Sequence, residues 1–322
     1  MRYRLFGRTG LRVSELLLGT MTLTDEQEAR RVLDTYADAG GNVLDTASAY
    51  GDGESLLGSI IERRDRFVIA TKYTLSRDPA DPNASGNHRK NLVPSLERSL
   101  RRLRTDYVDI LWVHVWDRHT PLEETMRALD DVVRAGKVLY VGISDAPAWV
   151  VARANTLAEW RDWTPFAGLQ VPYNLLNRDI ERELLPMAEG LGMSVAAWAP
   201  LAAGVLTGVA GRRADPDKLT PRQLTAQRAV REVAGELGAS PAQVALAWTR
   251  AKSPAVLPLV GASRAEQLTE NLGALDLTLP PEAVAKLEAS TDFERGFPAD
   301  FIAECEPSPF VFGNAATSVV GR

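Results

Sequence analysis

The sequence predicts an α/β fold in which eight strand–helix units close into a (β/α)8 TIM barrel, with an N-terminal β-hairpin and a C-terminal helix plus irregular tail. Strand-like apolar runs alternate with amphipathic segments of helical length, and eight such pairs fit into the 322 residues. Several strands are apolar on both faces, as is typical of parallel strands covered by helices. No linker or low-complexity tract divides the chain, so we expect a single domain over residues 1–322.

The elements follow in order along the chain. Two short strands flank the turn at residues 7–10 and predict the hairpin. The barrel strands are expected over residues 15–18, 42–44, 67–71, 108–113, 138–143, 168–171, 194–198 and 255–259. Helices are expected, among others, over 25–39, 92–103, 122–135 and 180–189, the first opening with a capping box from Thr24 to Gln27.

Three further segments lie outside this alternation. Long polar loops are expected at 75–89 and from 208 to about 219, and long loops on a barrel usually serve the active-site mouth. A last helix near 281–289 precedes an irregular tail that carries four phenylalanines, namely Phe297, Phe301, Phe310 and Phe312. This aromatic tail could line a substrate pocket or merely cover the barrel.

Composition excludes several classes of protein. With 37 basic and 42 acidic residues and no block of like charge, a nucleic-acid partner is not expected. No apolar run is long enough for a bilayer, so a membrane partner is not expected either. The single cysteine, Cys305, cannot form an internal disulfide and suits a reducing, cytoplasmic location. Three histidines and one cysteine argue against a metal site, and the oligomeric state stays open.

Polar side chains follow three neighbouring barrel strands. Asp45 and Tyr50 come after the second strand, Lys72 ends the third, and His114 ends the fourth. Reactive groups of a (β/α)8 barrel sit at the carboxyl ends of its strands. We therefore expect these four side chains to converge at one rim.

This set of residues suits the reduction of a carbonyl group. Hydride transfer to a carbonyl carbon creates an alkoxide that needs a proton, and a tyrosine hydroxyl can supply it. A phenol ordinarily titrates near about 10, but a nearby ammonium makes it a better acid. Lys72 could be that ammonium, held charged by Asp45, while His114 could hydrogen-bond the carbonyl oxygen. Each residue alone would more often be structural; the combination predicts catalysis.

The chain resembles the aldo-keto reductases over nearly its whole length. The resemblance rests on the order and spacing of the segments 18–21, 44–51, 70–72, 104–110, 141–144 and 170–178. It implies a catalytic tetrad of Asp45, Tyr50, Lys72 and His114, with Tyr50 as the general acid. It also places the chain near a bacterial-type branch that includes the potassium-channel β-like reductases.

The same resemblance implies that NADPH lies across the barrel mouth. No Gly-x-Gly-x-x-Gly follows a strand, so a Rossmann module is not indicated. Ser144 and Gln170 match the residues that hold the carboxamide, and Trp198 matches the aromatic that stacks on the nicotinamide. Asp145 departs from the Asn found in many relatives and cannot donate to the carboxamide oxygen when ionised. The other residues expected near this end of the cofactor are Thr20, Met21, Asp45, Ala199, Pro200 and Leu201.

Segment 261–271 matches the part of the family that grips the adenosine end of the cofactor. Arg264 would bind the 2′-phosphate, because a guanidinium and a helix N-terminus both favour that dianion. We expect surroundings free of acidic groups there, which favours NADPH over NADH. The expected contacts of this segment are Gly261, Ser263, Arg264, Gln267, Glu270 and Asn271.

The sequence therefore predicts an NADPH-dependent oxidoreductase that reduces a small aldehyde or ketone. Tyr73 and Trp116, on loops after the catalytic strands, are candidates for substrate contact, whereas His88 is expected to be solvated. One alternative is a cofactor-binding sensor subunit of the channel-β type, although that class departs from the tetrad at the position of His114. Another is a keto-sugar nucleotide reductase of deoxysugar biosynthesis.

Overall fold

Eight parallel strands close into a barrel in the computed structural model, which describes residues 1–208, 218–315 and 318. The barrel strands are β3 (Leu17–Gly19), β4 (Val43–Asp45), β5 (Val68–Tyr73), β6 (Val108–Val113), β7 (Val138–Ser144), β8 (Phe166–Pro172), β9 (Ser194–Trp198) and β10 (Val256–Gly261). Each runs beside the next in sequence, and β10 closes the barrel between β9 and β3. The predicted (β/α)8 barrel is confirmed, and each predicted strand end lies within two residues of the observed one.

In the described part of the chain, most of the helices surround the barrel and bury apolar side chains, whereas the last two lie in the C-terminal tail and have no buried residue. They are α1 (Glu26–Asp38), α2 (Gly53–Ile60), α3 (Arg89–Leu103), α4 (Leu122–Arg134), α5 (Ala148–Arg161), α6 (Leu184–Leu191), α7 (Pro221–Leu237), α8 (Pro241–Ala251), α9 (Ala265–Leu272), α10 (Pro281–Ala289), α11 (Ala299–Cys305) and α12 (Pro309–Phe312). In the described part of the chain, none of them is long and apolar enough to span a bilayer.

The N-terminal hairpin closes one end of the barrel. Its strands β1 (Tyr3–Leu5) and β2 (Arg12–Ser14) pair antiparallel, as predicted. In the turn between them, Phe6 is buried and packs edge-on against Trp112 of β6, with ring centroids 6.0 Å apart. The Gly7 amide donates to the Ser194 hydroxyl over 2.8 Å at the start of β9. The hairpin does not cover the opposite end of the barrel, which is formed by the carboxyl ends of the strands.

Two helix starts differ from the sequence prediction. The predicted Thr24 capping box is wrong, because Asp25 is the N-cap of α1 and accepts from the Glu28 amide at 2.8 Å. A carboxylate at this position also interacts favourably with the helix dipole. His88 is not merely solvated: its Nδ1 accepts from the Asn91 amide, so α3 starts three residues before the predicted position.

The helix predicted over 180–189 is divided in the structure. A 3-10 turn spans Asp179–Glu181, and α6 begins only at Leu184. A continuous helix would place Pro186 in its interior, where proline removes a hydrogen bond and clashes with the preceding turn. The tail predicted as irregular contains α11 and α12, with Phe297 and Phe310 largely exposed. Most of the loop predicted near 208–219 lies outside the described residues.

Gly142 in β7 provides a test of the packing inside the barrel. A Cβ at this position would lie 2.3 Å from Trp112 and 2.9 Å from the Gly168 carbonyl oxygen. We expect Gly142→Ala to lower the free energy of unfolding by about 1–3 kcal/mol, as overpacking usually does. Gly190 of α6 has open space around it, so Gly190→Ala should be neutral or stabilising by up to about 1 kcal/mol. Denaturant unfolding of both variants checks this, and equal stabilities would contradict it.

Candidate active site

Four predicted side chains meet at the mouth of the barrel. Asp45 ends β4, Tyr50 lies in the loop before α2, Lys72 is in β5, and His114 directly follows β6. The Lys72 ammonium lies 4.9 Å from the centroid of the Tyr50 ring. The Tyr50 and His114 rings meet edge to face, with centroids 6.0 Å apart. The structure therefore brings together all four residues of the predicted set.

A buried ion pair between Lys72 and Asp45 organises this group. The exposed fractions of the two side chains are 1% and 3%. Lys72 Nζ also donates to the Thr46 carbonyl at 2.8 Å, and the second carboxylate oxygen of Asp45 accepts from Gln170 Nε2 at 3.0 Å. Both carboxylate oxygens thus have partners, which a buried charge requires. Two of the three ammonium protons are used by these contacts, and the ammonium faces the Tyr50 ring.

Glu54 links the segment carrying Tyr50 to the strand carrying Lys72, and the sequence analysis missed it. This fully buried residue of α2 accepts from the Thr71 hydroxyl at 2.7 Å. Its other carboxylate oxygen lies 3.5 Å from Arg102 of α3, which also donates to the Gly51 carbonyl. An acidic residue one turn before the buried Leu57 was the available signal, since charged residues are rarely buried without a partner.

His114 is held by its backbone and keeps a neutral ring. Its amide donates to the Tyr73 carbonyl and to the Thr74 hydroxyl, each at 3.2 Å. Among the described residues, Nδ1 of its ring has no hydrogen-bond partner. Burial, reinforced by the charge of Lys72, lowers the pKa of His114 to about 4. At neutral pH the imidazole can therefore orient a polar group without carrying a charge.

The residues expected around the nicotinamide form a connected group beside the ion pair. Ser144 and Gln170 are buried at the ends of β7 and β8, while the Trp198 side chain at the end of β9 is partly open to solvent. The indole N–H of Trp198 donates to Asp145 at 3.3 Å. Burial away from water raises the pKa of the Asp145 carboxyl, although hydrogen bonds from Trp198 and Ser144 oppose this shift. Asp145 therefore orients the indole ring.

The other residues expected at this end are placed along the same rim. The Thr20 amide and hydroxyl both donate to the Asp45 carbonyl, at 2.9 and 3.0 Å, and Met21 is exposed beside it. Ala199 has a left-handed backbone with φ 51°, and its carbonyl accepts from the Asn174 amide group at 3.0 Å. Pro200 is buried and Leu201 is half-buried.

The segment expected to hold the adenosine lies where β10 passes into α9. Gly261, Arg264 and Glu270 are exposed, and the Ser263 amide donates to Gln267 Oε1 at 3.0 Å. Asn271 is 1% exposed, and its Nδ2 has no hydrogen-bond partner in the described part of the chain. A buried amide nitrogen without an acceptor fits a segment that closes around a polar ligand.

The expected absence of acidic groups around Arg264 is wrong. Glu28 of α1 reaches across to accept from the Ala265 amide at 2.8 Å, at the first residue of α9. A hydrogen bond from its own backbone, and then the contact with Arg31, lower the pKa of the Glu266 carboxyl. The charge of Arg264 lowers this pKa further, so Glu266 lies near Arg264. Only the tertiary structure could reveal Glu28, since 236 positions separate it from Arg264 in the sequence.

The two candidates for substrate contact differ in their placement. Tyr73 is buried and donates its hydroxyl to the Asn87 carbonyl, so the predicted contact is wrong. Successive side chains of a strand point to opposite faces, and Lys72 takes the inward face. Trp116 lies in the loop after β6 and meets Trp149 edge to face, with centroids 5.5 Å apart. Trp149, more than half exposed at the start of α5, was missed by the sequence analysis.

Comparison with known proteins shows the class of protein to which this barrel belongs. The sequence model of the Aldo/keto reductase family matches residues 15–292, and the chain belongs to that family. Aldo-keto reductases are enzymes that use nicotinamide cofactors, so the predicted family and enzyme class are confirmed. Within the described residues, no three or more histidine, cysteine, aspartate or glutamate side chains are grouped so that they could hold a metal ion.

Several fungal proteins are similar to the chain along most of their length. A norsolorinic acid reductase of Aspergillus flavus is 37% identical over 92% of the chain and 82% of its own length. A putative aryl-alcohol dehydrogenase of Saccharomyces cerevisiae is 36% identical over 94% and 90%, respectively. An NADP(+) aryl-alcohol dehydrogenase of Phanerodontia chrysosporium is 37% identical over 90% and 85%. These relatives do not support the predicted branch near the channel β subunits.

The neutral state of His114 can be tested by titration. We expect its ring resonances to shift near pH 4, because burial and Lys72 disfavour the imidazolium. Between about pH 4 and 6.5 the unfolded chain binds more protons, so this group's contribution to the free energy of unfolding falls as the pH falls. NMR of histidine-labelled protein checks this, with His114→Gln assigning the signal among the three histidines. A midpoint at 6 or above would contradict it.

Proposed function

We propose that this chain reduces an aromatic aldehyde or ketone to the alcohol with NADPH, and that Tyr50 donates the proton. The observation that carries the proposal is the placement of the Lys72–Asp45 ion pair beside the Tyr50 ring, with the His114 ring edge to face against the same tyrosine. Family membership and the names of the relatives support an oxidoreductase that acts on carbonyl or alcohol groups.

The residues at the mouth fit a nicotinamide cofactor. Bound NADPH supplies the hydride. Ser144 and Gln170 provide polar groups at the floor of the mouth, and Trp198 offers an open aromatic face. The amide nitrogen of Asn271 has no partner among the residues that the structure describes. A guanidinium at Arg264 suits the 2′-phosphate, because it is always charged and can bind that group through two hydrogen bonds.

The proton step depends on charge placement within the tetrad. Tyr50 transfers its hydroxyl proton to the oxygen of the substrate carbonyl and becomes a phenolate. The Lys72 ammonium lies 4.9 Å from the centroid of the Tyr50 ring, and its positive charge favours the phenolate over the neutral phenol. Asp45 keeps Lys72 charged and in position despite its burial. His114, uncharged at neutral pH, donates a hydrogen bond that orients the carbonyl oxygen.

The preference for an aromatic substrate rests on the relatives and on two tryptophans. Two of the relatives above are named for aryl alcohols. Trp116 and Trp149 follow β6 and β7 at the same rim as the tetrad, and they form an edge-to-face pair with Trp149 open to solvent. Such a pair presents apolar faces on which an aryl ring can pack. A keto-sugar nucleotide has no aryl ring next to its carbonyl. Comparing the reduction of aryl aldehydes with that of keto-sugar nucleotides therefore separates these two substrate classes.

Removing the Tyr50 hydroxyl tests the mechanism. We expect Tyr50→Phe to lower kcat for an aryl aldehyde such as 4-nitrobenzaldehyde by at least about 100-fold, since general acids contribute that much or more. The NADPH dissociation constant, measured by fluorescence quenching, should change less than about twofold because the ring remains. Tyr107→Phe, before β6 at the other end of the barrel, is the matched control and should retain activity. An active Tyr50→Phe enzyme would refute the assignment.

Removing the Arg264 guanidinium tests the cofactor assignment. We expect Arg264→Ala to weaken NADPH binding by about 10- to 100-fold, the loss of one charge-assisted contact with a phosphate. NADH lacks the 2′-phosphate and serves as the internal control, with less than about a threefold change. Fluorescence titrations give the dissociation constants for NADPH and for NADH. Equal losses for both would show that Arg264 does not bind the 2′-phosphate.

A further inference from the structure

A carboxylate already occupies the N-terminus of α9. Glu28 Oε1 accepts from the Ala265 amide at 2.8 Å, and Glu28 Oε2 pairs with Arg31 at 3.0 Å. Arg31 in turn binds Glu266 over 2.7 Å, in the first turn of α9. The contact crosses between α1 and α9, the helices next to each other where the barrel closes. Arg264 is the N-cap residue of α9 and immediately precedes this amide.

The four charged side chains at the start of α9 carry no net positive charge. Arg264 and Arg31 contribute two positive charges, and Glu28 and Glu266 contribute two negative ones. A phosphate monoester carries a charge of about −1.5 to −2 at neutral pH. Helix N-termini attract anions, but here a carboxylate takes the amide of the first helical residue. The chain therefore offers a dianion less attraction than Arg264 alone would provide.

We infer that Glu28 is a cofactor-specificity residue that opposes the 2′-phosphate and so narrows the preference for NADPH over NADH. This inference rests on the proposed function, in which Arg264 binds that phosphate. The exposed fraction of the Glu28 side chain is 23%, so solvent weakens its repulsion without removing it. The charge also lies on a helix different from the one that carries Arg264, which makes it separable by substitution.

Glu28→Gln removes this charge and keeps the contact between helices. The amide oxygen of glutamine can still accept from the Ala265 N–H, so α1 and α9 stay joined. Glu26→Gln is the matched control. Glu26 lies in the same first turn of α1, but it pairs with Arg30, whose guanidinium also reaches the Ser59 carbonyl and the Glu62 carboxylate beside α2.

The experiment measures two adenosine fragments binding to the full chain by isothermal titration calorimetry. Adenosine 2′,5′-bisphosphate carries the 2′-phosphate, and AMP does not. We expect Glu28→Gln to tighten the bisphosphate by about five- to tenfold at low salt, the size of effect expected for one nearby unit charge on a dianion. AMP should change by less than about twofold, and Glu26→Gln should leave both ligands within about twofold. At about 0.5 M salt the gain should shrink because of screening.

Two results would overturn the inference. One is an unchanged ratio of the two affinities in Glu28→Gln; the other is weaker binding of the bisphosphate, which would mean that Glu28 helps to build the site. Arg264→Ala in the same assay separates this failure from that of the proposed function. If Arg264→Ala weakens the bisphosphate and Glu28→Gln does not tighten it, only the inference fails. If Arg264→Ala has no effect, or the natural chain binds neither fragment, the cofactor assignment fails with it.

Discussion

The buried Lys72–Asp45 ion pair is the interaction on which the rest of the site depends. Two charges away from water are tolerated only when their remaining hydrogen-bonding capacity is used. Here the Thr46 carbonyl accepts from Lys72, and Gln170 donates to Asp45. These contacts span β4, β5 and β8, so one ion pair sets the relative positions of three strand ends. They leave the ammonium beside the Tyr50 ring, where in the proposed mechanism its charge stabilises the phenolate.

A second set of buried polar contacts secures the position of Tyr50 from the outside of the barrel. Glu54 and Arg102 join α2, α3 and the end of β5 through the Thr71 hydroxyl and the Gly51 carbonyl. The tetrad is therefore held from both faces of β5. The hairpin closes the other end with Phe6 and Trp112, which leaves the carboxyl ends of the strands as the open mouth. Contacts of this kind hold charged groups at set distances, which the proposed proton transfer requires.

At the cofactor end, the charges are balanced rather than uniformly basic. Arg264 and Arg31 share their surroundings with Glu28 and Glu266, in a network that crosses from α1 to α9. This network joins α1 to α9 beside the place where β10 closes the barrel against β3. We propose that it also weakens the attraction that the 2′-phosphate of the cofactor experiences there. In our proposal, the side chains that join α1 to α9 therefore also set the cofactor preference.

The sequence by itself determined the barrel, the hairpin and the location of the tetrad. Local patterning sets strands and helices, and the carboxyl ends of neighbouring parallel strands must share one rim. Only the tertiary structure decided which side chains face the mouth and which charges meet. Tyr73 is turned away because strand side chains alternate, and Pro186 breaks a helix that the apolar spacing predicted. Glu28 reaches α9 across 237 residues. Such contacts depend on how distant elements pack, and no local pattern records that packing.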